Sequence, residues 1–381
     1  MSPTTTRKKS STKAPKTPAH LDRRVKLLRQ RLRADGLDGL LVTNARDIRY
    51  LTGFIGDDSW LYVSARGGKL TVLSDLRFKA HIPEEAPHVR VFMRGTKSKT
   101  RESLADAAAR LLPDSVQRVG LQAQYLQVPT RKSIAKALGA KRIKDYDDGM
   151  LQQRSIKDDQ EVRLLRKAVK IQQQAFLETR EFLEVGMTEN EVCAYLEYRM
   201  RALGADGPGF QTIVAFDDHA SHSHAIPGSR KVKKNSSILI DWGANYAGYR
   251  SDMTRVINLG KPKKHIAEIY KVVEEAMLAA IDMIAPGVPI KEIDDCARGI
   301  MKKHGHTLDH GLGHGIGLDI HEQPGIGQSE NVLQPGQVIT IEPGIYLGPK
   351  GGVRLEDDIL VTEKGHKNLC DLPTSLEWSI I

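Results

Sequence analysis

Two apolar segments, each with an aspartate at one end, constrain this chain more than any other feature. Residues 238–240 lead into Asp241 and Gly243, and a second apolar segment follows Asp252. Strand-type residues interrupted by glycine predict a β-hairpin on which the two aspartates face each other. A carboxylate at the end of an apolar run is costly to bury unless a partner compensates its charge. The hairpin alone leaves two readings open: a pair of turn-capping aspartates and a functional pair of carboxylates.

The same pattern returns 101 positions later, since Glu342 ends the apolar run at residues 338–341 just as Asp241 ends the first run. After a glycine-rich turn, residues 353–361 are predicted to form the returning strand, and this segment also carries a carboxylate, Glu356. A second acid-bearing hairpin makes the turn-capping explanation of the first one unattractive.

The repeat extends upstream of both hairpins. Residues 186–192 match residues 287–293 as G-x-T/P-x-x-E-V/I at the same offset. In the first copy, Thr188 and Glu191 have the spacing of a capping box, which predicts that a helix begins there. Two copies indicate a pseudo-symmetric domain and not a solenoid. Amphipathic helices predicted near residues 157–184, 263–285 and 289–304 would cover a sheet formed by the hairpins.

A chain of 381 residues is long enough for two domains, each with its own core. Mixed strands and helices recur up to about residue 145, which predicts an α/β domain before the duplicated region. The polar segment 146–157 is the expected boundary. We therefore predict an α/β domain at residues 21–150 and an α+β domain at residues 151–381.

The net charge of +10 is concentrated at the start of the chain. Residues 1–20 contain five basic residues and no acidic one, among Ser, Thr and Pro. Such a segment cannot bury enough apolar surface to become ordered, so we predict a solvated, disordered tail. A weak non-specific contact with polyanions is the alternative, and no specific nucleic-acid partner is expected.

Cysteine usage and hydropathy indicate the compartment. Cys193, Cys296 and Cys370 lie far apart in the sequence, which argues against a disulfide framework and favours a reducing environment. No apolar run reaches membrane-spanning length, and no signal peptide is recognisable. We therefore expect a cytoplasmic protein with no membrane partner.

Three histidines accompany the four acidic residues. His314 lies between Gly313 and Gly315, His321 follows seven residues later, and His224 precedes Asp241 by seventeen residues. A single histidine is usually an ordinary surface or core residue. The flanking glycines allow a close backbone approach and favour a functional site at His314.

Four carboxylates in one pocket would repel each other, and some would hold protons. Two divalent cations would cancel the four charges, and oxygen-rich ligands with one imidazole suit Mn²⁺, Co²⁺ or Zn²⁺. A pair of such ions activates water and polarises a carbonyl group. The pattern therefore predicts hydrolysis of an amide or similar bond without a covalent intermediate. The serine-hydrolase motif G-x-S-x-G is absent from the sequence.

These motifs together resemble the pita-bread metallopeptidases, the family of methionine aminopeptidase, aminopeptidase P, prolidase and creatinase. The motifs are D-x(10)-D at Asp241 and Asp252, G-H-G-I-G at His314, I-H-E at His321, E-P-G at Glu342 and R-L-E-D-D at Glu356. The front domain, with Arg-Tyr-Leu-Thr-Gly at residues 49–53, is similar to the creatinase-type N-terminal domain of aminopeptidase P and prolidase.

The resemblance implies a centre with two divalent metal ions, with Mn²⁺ the first choice and Co²⁺ or Zn²⁺ the alternatives. In this pattern Asp241 binds one ion, and Asp252 and Glu356 bridge both. His314 and Glu342 complete the second ion, and Glu342 also shuttles a proton.

The resemblance also implies catalytic roles for His224 and His321, which match the histidines that contact the substrate and the tetrahedral intermediate. Arg354 is expected to support the cluster, where its charge would keep Glu356 ionised. The additional His219 and His222 are interpreted as loop residues and not as ligands.

The resemblance implies cleavage of Xaa-Pro bonds by a homodimer. Many prolidases carry an arginine one residue after the proline of H-E-x-P, whereas this chain has Gly325. That difference favours an Xaa-Pro aminopeptidase over an Xaa-Pro dipeptidase. A creatinase-like hydrolase and a non-catalytic pita-bread binding module are more distant alternatives.

Overall fold

The computed structural model describes residues 16–95, 102–146 and 148–381, except for the side chain of Asp148. Most of the predicted tail, residues 1–15, therefore lies outside the described residues. The chain divides into two compact units, of which the first ends at Met150 and the second is Leu151–Ile381.

The first unit is a mixed sheet with helices. Its helices are α1 (Ala19–Ala34), α2 (Ala45–Thr52), α3 (His81–Glu85), α4 (Leu104–Leu111) and α5 (Val128–Leu138). Its strands are β1 (Gly39–Val42), β2 (Trp60–Ser64), β3 (Thr71–Ser74), β4 (Arg90–Met93), β5 (Val119–Leu121) and β6 (Ile143–Asp145). The six strands are ordered β4-β3-β2-β1-β5-β6, and β1 pairs antiparallel with β2 and parallel with β5. Mixed pairing with helical connections is the α/β arrangement that the sequence predicts.

The second unit contains the duplicated segments. Helix α6 (Asp148–Ser155) leads into it, followed by α7 (Asp159–Phe182), α8 (Glu189–Ala202), α9 (Lys264–Asp282), α10 (Ile290–Lys303) and α11 (Leu376–Ser379). The strands are β7 (Gly207–Pro208), β8 (Ile213–Phe216), β9 (Ser237–Trp242), β10 (Ala244–Tyr246), β11 (Tyr249–Arg250), β12 (Met253–Asn258), β13 (Gly313–Gly315), β14 (Glu322–Ile326), β15 (Val338–Ile341), β16 (Gly344–Tyr346), β17 (Gly352–Arg354), β18 (Asp357–Val361) and β19 (His366–Asn368). In the described part of the chain, no helix combines the length and the apolar character needed to cross a membrane.

Helix α8 begins where its sequence predicts. The Thr188 hydroxyl accepts a hydrogen bond from the Glu191 N–H at 3.2 Å, and the Glu191 carboxylate accepts one from the Thr188 N–H at 2.7 Å. This reciprocal pair satisfies donors that the first turn of a helix leaves open, so the predicted capping box is confirmed.

The first predicted hairpin is formed by β9 and β12, which pair antiparallel with Asp241 opposite Thr254. In the second hairpin β15 pairs with β18, with Ile341 opposite Asp357. The prediction of one continuous strand at residues 353–361 is wrong, because β17 and β18 are separate strands with a two-residue break at Glu356.

The backbone at Glu356 connects the second hairpin to the first. The Glu356 N–H donates to the Thr254 carbonyl at 3.2 Å, which forms an isolated bridge between the copies. Because Glu356 lies outside β18, its backbone N–H can bond to the first hairpin. This cross-connection brings the acidic ends of both hairpins to one place.

Helices α9 and α10 supply much of the core behind the hairpins. Met277 of α9 and Ile293 of α10 are fully buried in one apolar cluster with Val256 of β12 and Ile339 of β15. Burial of such side chains contributes about 1.5–3 kcal/mol each. The core thus fixes both hairpins against the same pair of helices.

Candidate metal centre

A cavity of about 420 Å³ lies in the second unit and is lined by every residue that the sequence marks as a site residue. These residues are His224, Asp241, Asp252, His314, His321, Glu342, Arg354 and Glu356. Residues separated by up to 132 positions, from His224 to Glu356, thus share one cavity wall.

The carboxylates of the cavity keep unpaired oxygens. Asp241 Oδ1, Asp252 Oδ1 and Glu356 Oε1 are buried and have no hydrogen-bond partner among the described residues. The second oxygen of Glu356 accepts a hydrogen bond from the Thr254 hydroxyl at 2.7 Å. Burying a carboxylate oxygen without a partner is costly, and a bound cation removes that cost.

The acidic groups and one histidine converge at metal-binding distances. One ligand atom each from Asp252, His314 and Glu356 lies within 4.8 Å of the others. His314 Nε2 is also 3.4 Å from Glu342 Oε1. Oxygen ligands with one imidazole match a hard or borderline divalent ion, so this donor set fits the metal that the sequence predicts.

Burial and mutual repulsion raise the carboxyl pKa values. Burial, followed by the charges of Glu356 and Asp241, raises the pKa of Asp252 well above its ordinary value. Burial and the charge of Glu342 do the same to the pKa of Glu356. Burial raises the pKa of Glu342 to about 8. Without a cation the cluster therefore retains protons, and a bound cation would reverse this shift.

His314 is held in the tautomer that a metal ligand requires. Its Nδ1 lies 3.1 Å from the Gly315 carbonyl, which accepts only a hydrogen bond, so the proton is assigned to Nδ1 and the Nε2 lone pair faces the carboxylates. Burial lowers the pKa of His314 to about 4, so the ring is neutral at pH 7. Its contacts with Asp252 and Glu342 are therefore not ion pairs at that pH.

The glycines beside His314 are required by close backbone packing. A Cβ atom on Gly313 would lie 2.0 Å from the Thr340 carbonyl oxygen, and one on Gly315 would lie 2.3 Å from that of Gln323. The strand that carries His314 therefore fits between β14 and β15 only with glycine at both positions.

Arg354 contacts a different carboxylate from the one expected. Its Nη2 donates to Asp241 Oδ2 at 2.6 Å, and its Nε donates to the Thr254 hydroxyl at 3.1 Å. The positive charge of Arg354 lowers the pKa of Glu356, but burial and the neighbouring carboxylates outweigh it. Arg354 thus acts on Glu356 in the expected direction while its guanidinium is bonded to Asp241, and the ionisation of Glu356 in a metal-bound centre stays a prediction.

The two predicted catalytic histidines line the cavity beside the cluster. The ring of His321 lies edge-to-face with that of His314, with centroids 4.4 Å apart. Burial and the charge of His224 lower the pKa of His321. Both imidazoles are thus placed where hydrogen bonds to a bound molecule are possible.

Two cavity residues were missed by the sequence reasoning. The Tyr346 hydroxyl accepts a hydrogen bond from Arg354 Nη1 at 2.7 Å and lies 3.2 Å from His310 Nε2. His310 opens the same glycine-rich stretch that contains His314, and Tyr346 follows E-P-G by two residues. Those spacings were the available signals, but neither residue carries a motif of its own.

Comparison with known proteins identifies the family. Residues 163–363 match the model of metallopeptidase family M24, and residues 24–156 match the creatinase/prolidase N-terminal domain. The chain belongs to metallopeptidase family M24. The resemblance and the fold class inferred from the sequence are confirmed: a creatinase-like N-terminal domain precedes a pita-bread catalytic domain.

Relatives of this chain cover almost its full length. The uncharacterized peptidase YqhT of Bacillus subtilis is 32% identical over 344 residues, which span 90% of this chain and 96% of the relative. The structure of an Xaa-Pro dipeptidase from Bacillus anthracis has a TM-score of 0.88 at 31% identity and covers 95% of this chain and 100% of its own. An X-Pro aminopeptidase from Thermotoga maritima has a TM-score of 0.82 at 32% identity and covers 91% and 99%.

Proposed function

We propose that this enzyme is a dinuclear-metal exopeptidase that cleaves Xaa-Pro bonds and removes the N-terminal residue before proline. The observation that supports this most directly is the cluster of buried carboxylates that keep unpaired oxygens and lie beside His314. Similarity to an Xaa-Pro dipeptidase and to an X-Pro aminopeptidase supports the Xaa-Pro substrate class.

Five residues would hold the two ions. Asp241 would bind one, Asp252 and Glu356 would bridge both, and His314 and Glu342 would complete the second. Bound divalent ions would supply a nucleophile at neutral pH and polarise the scissile carbonyl. Mn²⁺ is our first choice for the metal, with Co²⁺ or Zn²⁺ as alternatives, because the ligands are oxygens and one imidazole.

The remaining chemistry is assigned to side chains of the cavity. His224 and His321 would hydrogen-bond the substrate and the oxygen on which negative charge develops. Glu342 would accept the proton released by the attacking water and deliver it to the leaving nitrogen. Arg354, bonded to Asp241, would hold that carboxylate in its ligand orientation.

A proline after the scissile bond suits this cavity. Its nitrogen belongs to a tertiary amide, which has no N–H, so the site need not provide an acceptor there. Phe210, Ile226 and Tyr346 contribute apolar surface to the cavity wall. These side chains are suitable partners for a pyrrolidine ring.

Charge supports the aminopeptidase over the dipeptidase. Among the described residues that line the cavity, Arg354 is the one Lys or Arg, and its guanidinium is already bonded to Asp241, Thr254 and Tyr346. A dipeptide brings a free carboxylate next to proline, and that group loses a charge-assisted contact here. Longer peptides lack a carboxylate at that place. The similarity to both an Xaa-Pro dipeptidase and an X-Pro aminopeptidase fits dipeptides and longer peptides equally well.

A product assay tests the choice. After Mn²⁺ loading, we expect higher kcat/KM for Xaa-Pro-Pro than for the matching Xaa-Pro dipeptide. Efficient cleavage of the dipeptide with none of the tripeptide would establish the dipeptidase instead. Two bound ions per chain by elemental analysis would exclude a creatinase-like or non-catalytic protein.

Gly325 offers a matched variant for the same assay. It pairs with His314 across β13 and β14, and a Cβ atom there would meet no atom within 4 Å. Gly325→Arg should therefore fold and raise kcat/KM for the dipeptide relative to the tripeptide. An unchanged ratio would show that this position does not select peptide length.

We also propose a cytoplasmic homodimer. The three cysteines are free, which agrees with a reducing compartment. The dimer rests on the resemblance to aminopeptidase P and prolidase.

A further inference from the structure

We propose that Glu189 is a positioning residue for His224, acting through both ends of the loop at residues 217–227. The inference rests on the proposed function, in which His224 contacts the substrate. His224 lies on this loop and lines the cavity, whereas Glu189 lies on α8 and does not line it.

The Glu189 carboxylate binds the entry and the exit of the loop at once. Oε1 accepts a hydrogen bond from the Phe216 N–H at 2.9 Å, where β8 ends and the loop begins. Oε2 accepts one from the Gly228 N–H at 2.9 Å, just after the loop. The His219 Nδ1 lies 2.7 Å from Oε1 and completes the set. One fully buried side chain thus closes the base of the loop.

The backbone of α8 reinforces the exit but not the entry. The Asn190 N–H donates to the Gly228 carbonyl and the Glu189 N–H donates to the Arg230 carbonyl, both at 3.1 Å. The Glu189 side chain is therefore the buried link between this anchored exit and Phe216, and another link between exit and entry is an exposed ion pair of Arg230 with Asp218 at 2.9 Å. At the far side of the loop, the Ser223 carbonyl accepts a hydrogen bond from Arg354 Nη1 at 3.3 Å.

Helix capping does not account for this carboxylate. Thr188 and Glu191 already form the capping box at the start of α8. Burying a carboxylate carries a desolvation cost, which its charge-assisted hydrogen bonds to the loop offset. All three contacts hold one loop, whose functional residue in our assignment is His224.

The position of His224 should therefore depend on Glu189. A displacement of about 1 Å in a group that orients substrate can cost on the order of 10²-fold in rate. Loosening the base of the loop would place the imidazole less accurately without removing a cavity residue. The expected signature is a loss of turnover with metal content unchanged.

Glu189→Gln tests this with nearly the same volume. The amide has one oxygen, so its NH₂ must face one of the two backbone N–H groups and release that end of the loop. We expect faster hydrogen–deuterium exchange in residues 216–228 of the metal-free protein. In the Mn²⁺-loaded enzyme we expect kcat to fall by roughly 10- to 100-fold. If this variant does not fold, Glu189→Asp keeps the charge but is too short to reach both ends, and the same results are expected.

A double-mutant cycle separates positioning from general destabilisation. In a His224→Ala background, Glu189→Gln should change kcat by less than about threefold, because the group that it positions is gone. Independent, multiplicative losses would overturn the proposal, as would unchanged exchange in residues 216–228. The matched control is Asp294→Asn, another fully buried carboxylate, which binds Arg298 and Gln328 and should leave loop exchange and kcat unchanged.

The substrate role of His224 and the positioning role of Glu189 are contradicted by different results. Normal turnover of His224→Ala would contradict the substrate role that the proposed function gives to His224. A large loss in His224→Ala, combined with normal turnover in Glu189→Gln, would contradict only the role of Glu189.

Discussion

At the scale of single residues, the cavity is defined by what its carboxylates lack. Asp252 has one buried oxygen without a partner, and its backbone N–H donates to Asp358 Oδ2 at 3.0 Å. The backbone that carries this side chain is thus anchored while a carboxylate oxygen stays available. This combination is expected of a ligand that must be in place before an ion binds.

Replacing that ligand gives the most direct test of the centre. Asp252→Asn should lose at least one of the two ions and nearly all activity, because a bridging carboxylate serves both. Elemental analysis and peptide hydrolysis measure the two effects. Full metal occupancy with normal turnover would contradict the assignment of Asp252 as a bridging ligand.

Asp241 and Glu342 stand out in the sequence because each ends an apolar run, and His314 because it lies between glycines. Asp252 and Glu356 stand out because each lies on a predicted returning strand. The partner of Arg354 was not predictable, since its choice of Asp241 over Glu356 depends on side-chain packing between two hairpins. His310 and Tyr346 were missed for a similar reason: their contact joins segments 36 residues apart. Local sequence carries no signal for such pairings.

At the scale of secondary-structure elements, a buried ion cluster anchors the segment that carries His321. Glu322 begins β14 and is bonded to Arg154, and Lys157 Nζ lies 3.2 Å from its second oxygen. Arg154 also donates to Asp319 at 2.7 Å. The side chains of Arg154, Lys157 and Glu322 are all almost fully buried. The charges of Lys157 and Arg154 overcome the effect of burial and lower the pKa of Glu322 to about 2.

Neutralising Glu322 should therefore be strongly destabilising. Glu322→Gln removes the negative charge that two buried cations share, and we expect a loss of about 3–5 kcal/mol in the free energy of unfolding. Urea denaturation of the metal-free protein measures it. The matched control is Glu330→Gln, which breaks an exposed pair with Lys291 and should cost less than about 1 kcal/mol. Equal losses in both variants would contradict the anchoring role.

Hairpins and helices were predictable as elements, but their joins were not. The periodicity and the capping residues of α8 placed its start at Thr188. The interruption between β17 and β18 was not visible, because residues 353–361 are predicted to form one continuous returning strand. A backbone bond from Glu356 to Thr254, 102 residues away, overrides that local preference.

At the scale of the whole molecule, the buried acids link stability to pH and to metal. Asp252, Glu342 and Glu356 have pKa values raised above those of the unfolded chain. A folded state that holds protons more tightly than the unfolded state loses stability as pH rises through the folded pKa. For Glu342 the loss runs from its ordinary value of 4.5 to about 8.

His314 and Glu322 change the stability of the protein at lower pH than the raised carboxyl groups do. His314 has a lowered pKa of about 4 against an ordinary 6.5, so its contribution is lost as pH falls between those values. Glu322, lowered from 4.5 to about 2, loses its contribution only in stronger acid. Between pH 6.5 and 8 the raised carboxyl groups should therefore dominate the change.

The Tm of the metal-free protein should consequently fall between pH 6.5 and 8, whereas that of the Mn²⁺-loaded protein should change less. Metal binding requires ionised carboxylates, so the stabilisation by a fixed excess of Mn²⁺ should grow with pH. Calorimetry in chelator and in Mn²⁺ measures both curves. Glu342→Gln removes one of the titrating groups and should flatten the metal-free curve. Parallel curves for the metal-free and metal-loaded wild-type protein would show that the buried acids do not form the ion-binding cluster. Stabilisation by a metal whose binding displaces no protons would not change with pH in this range.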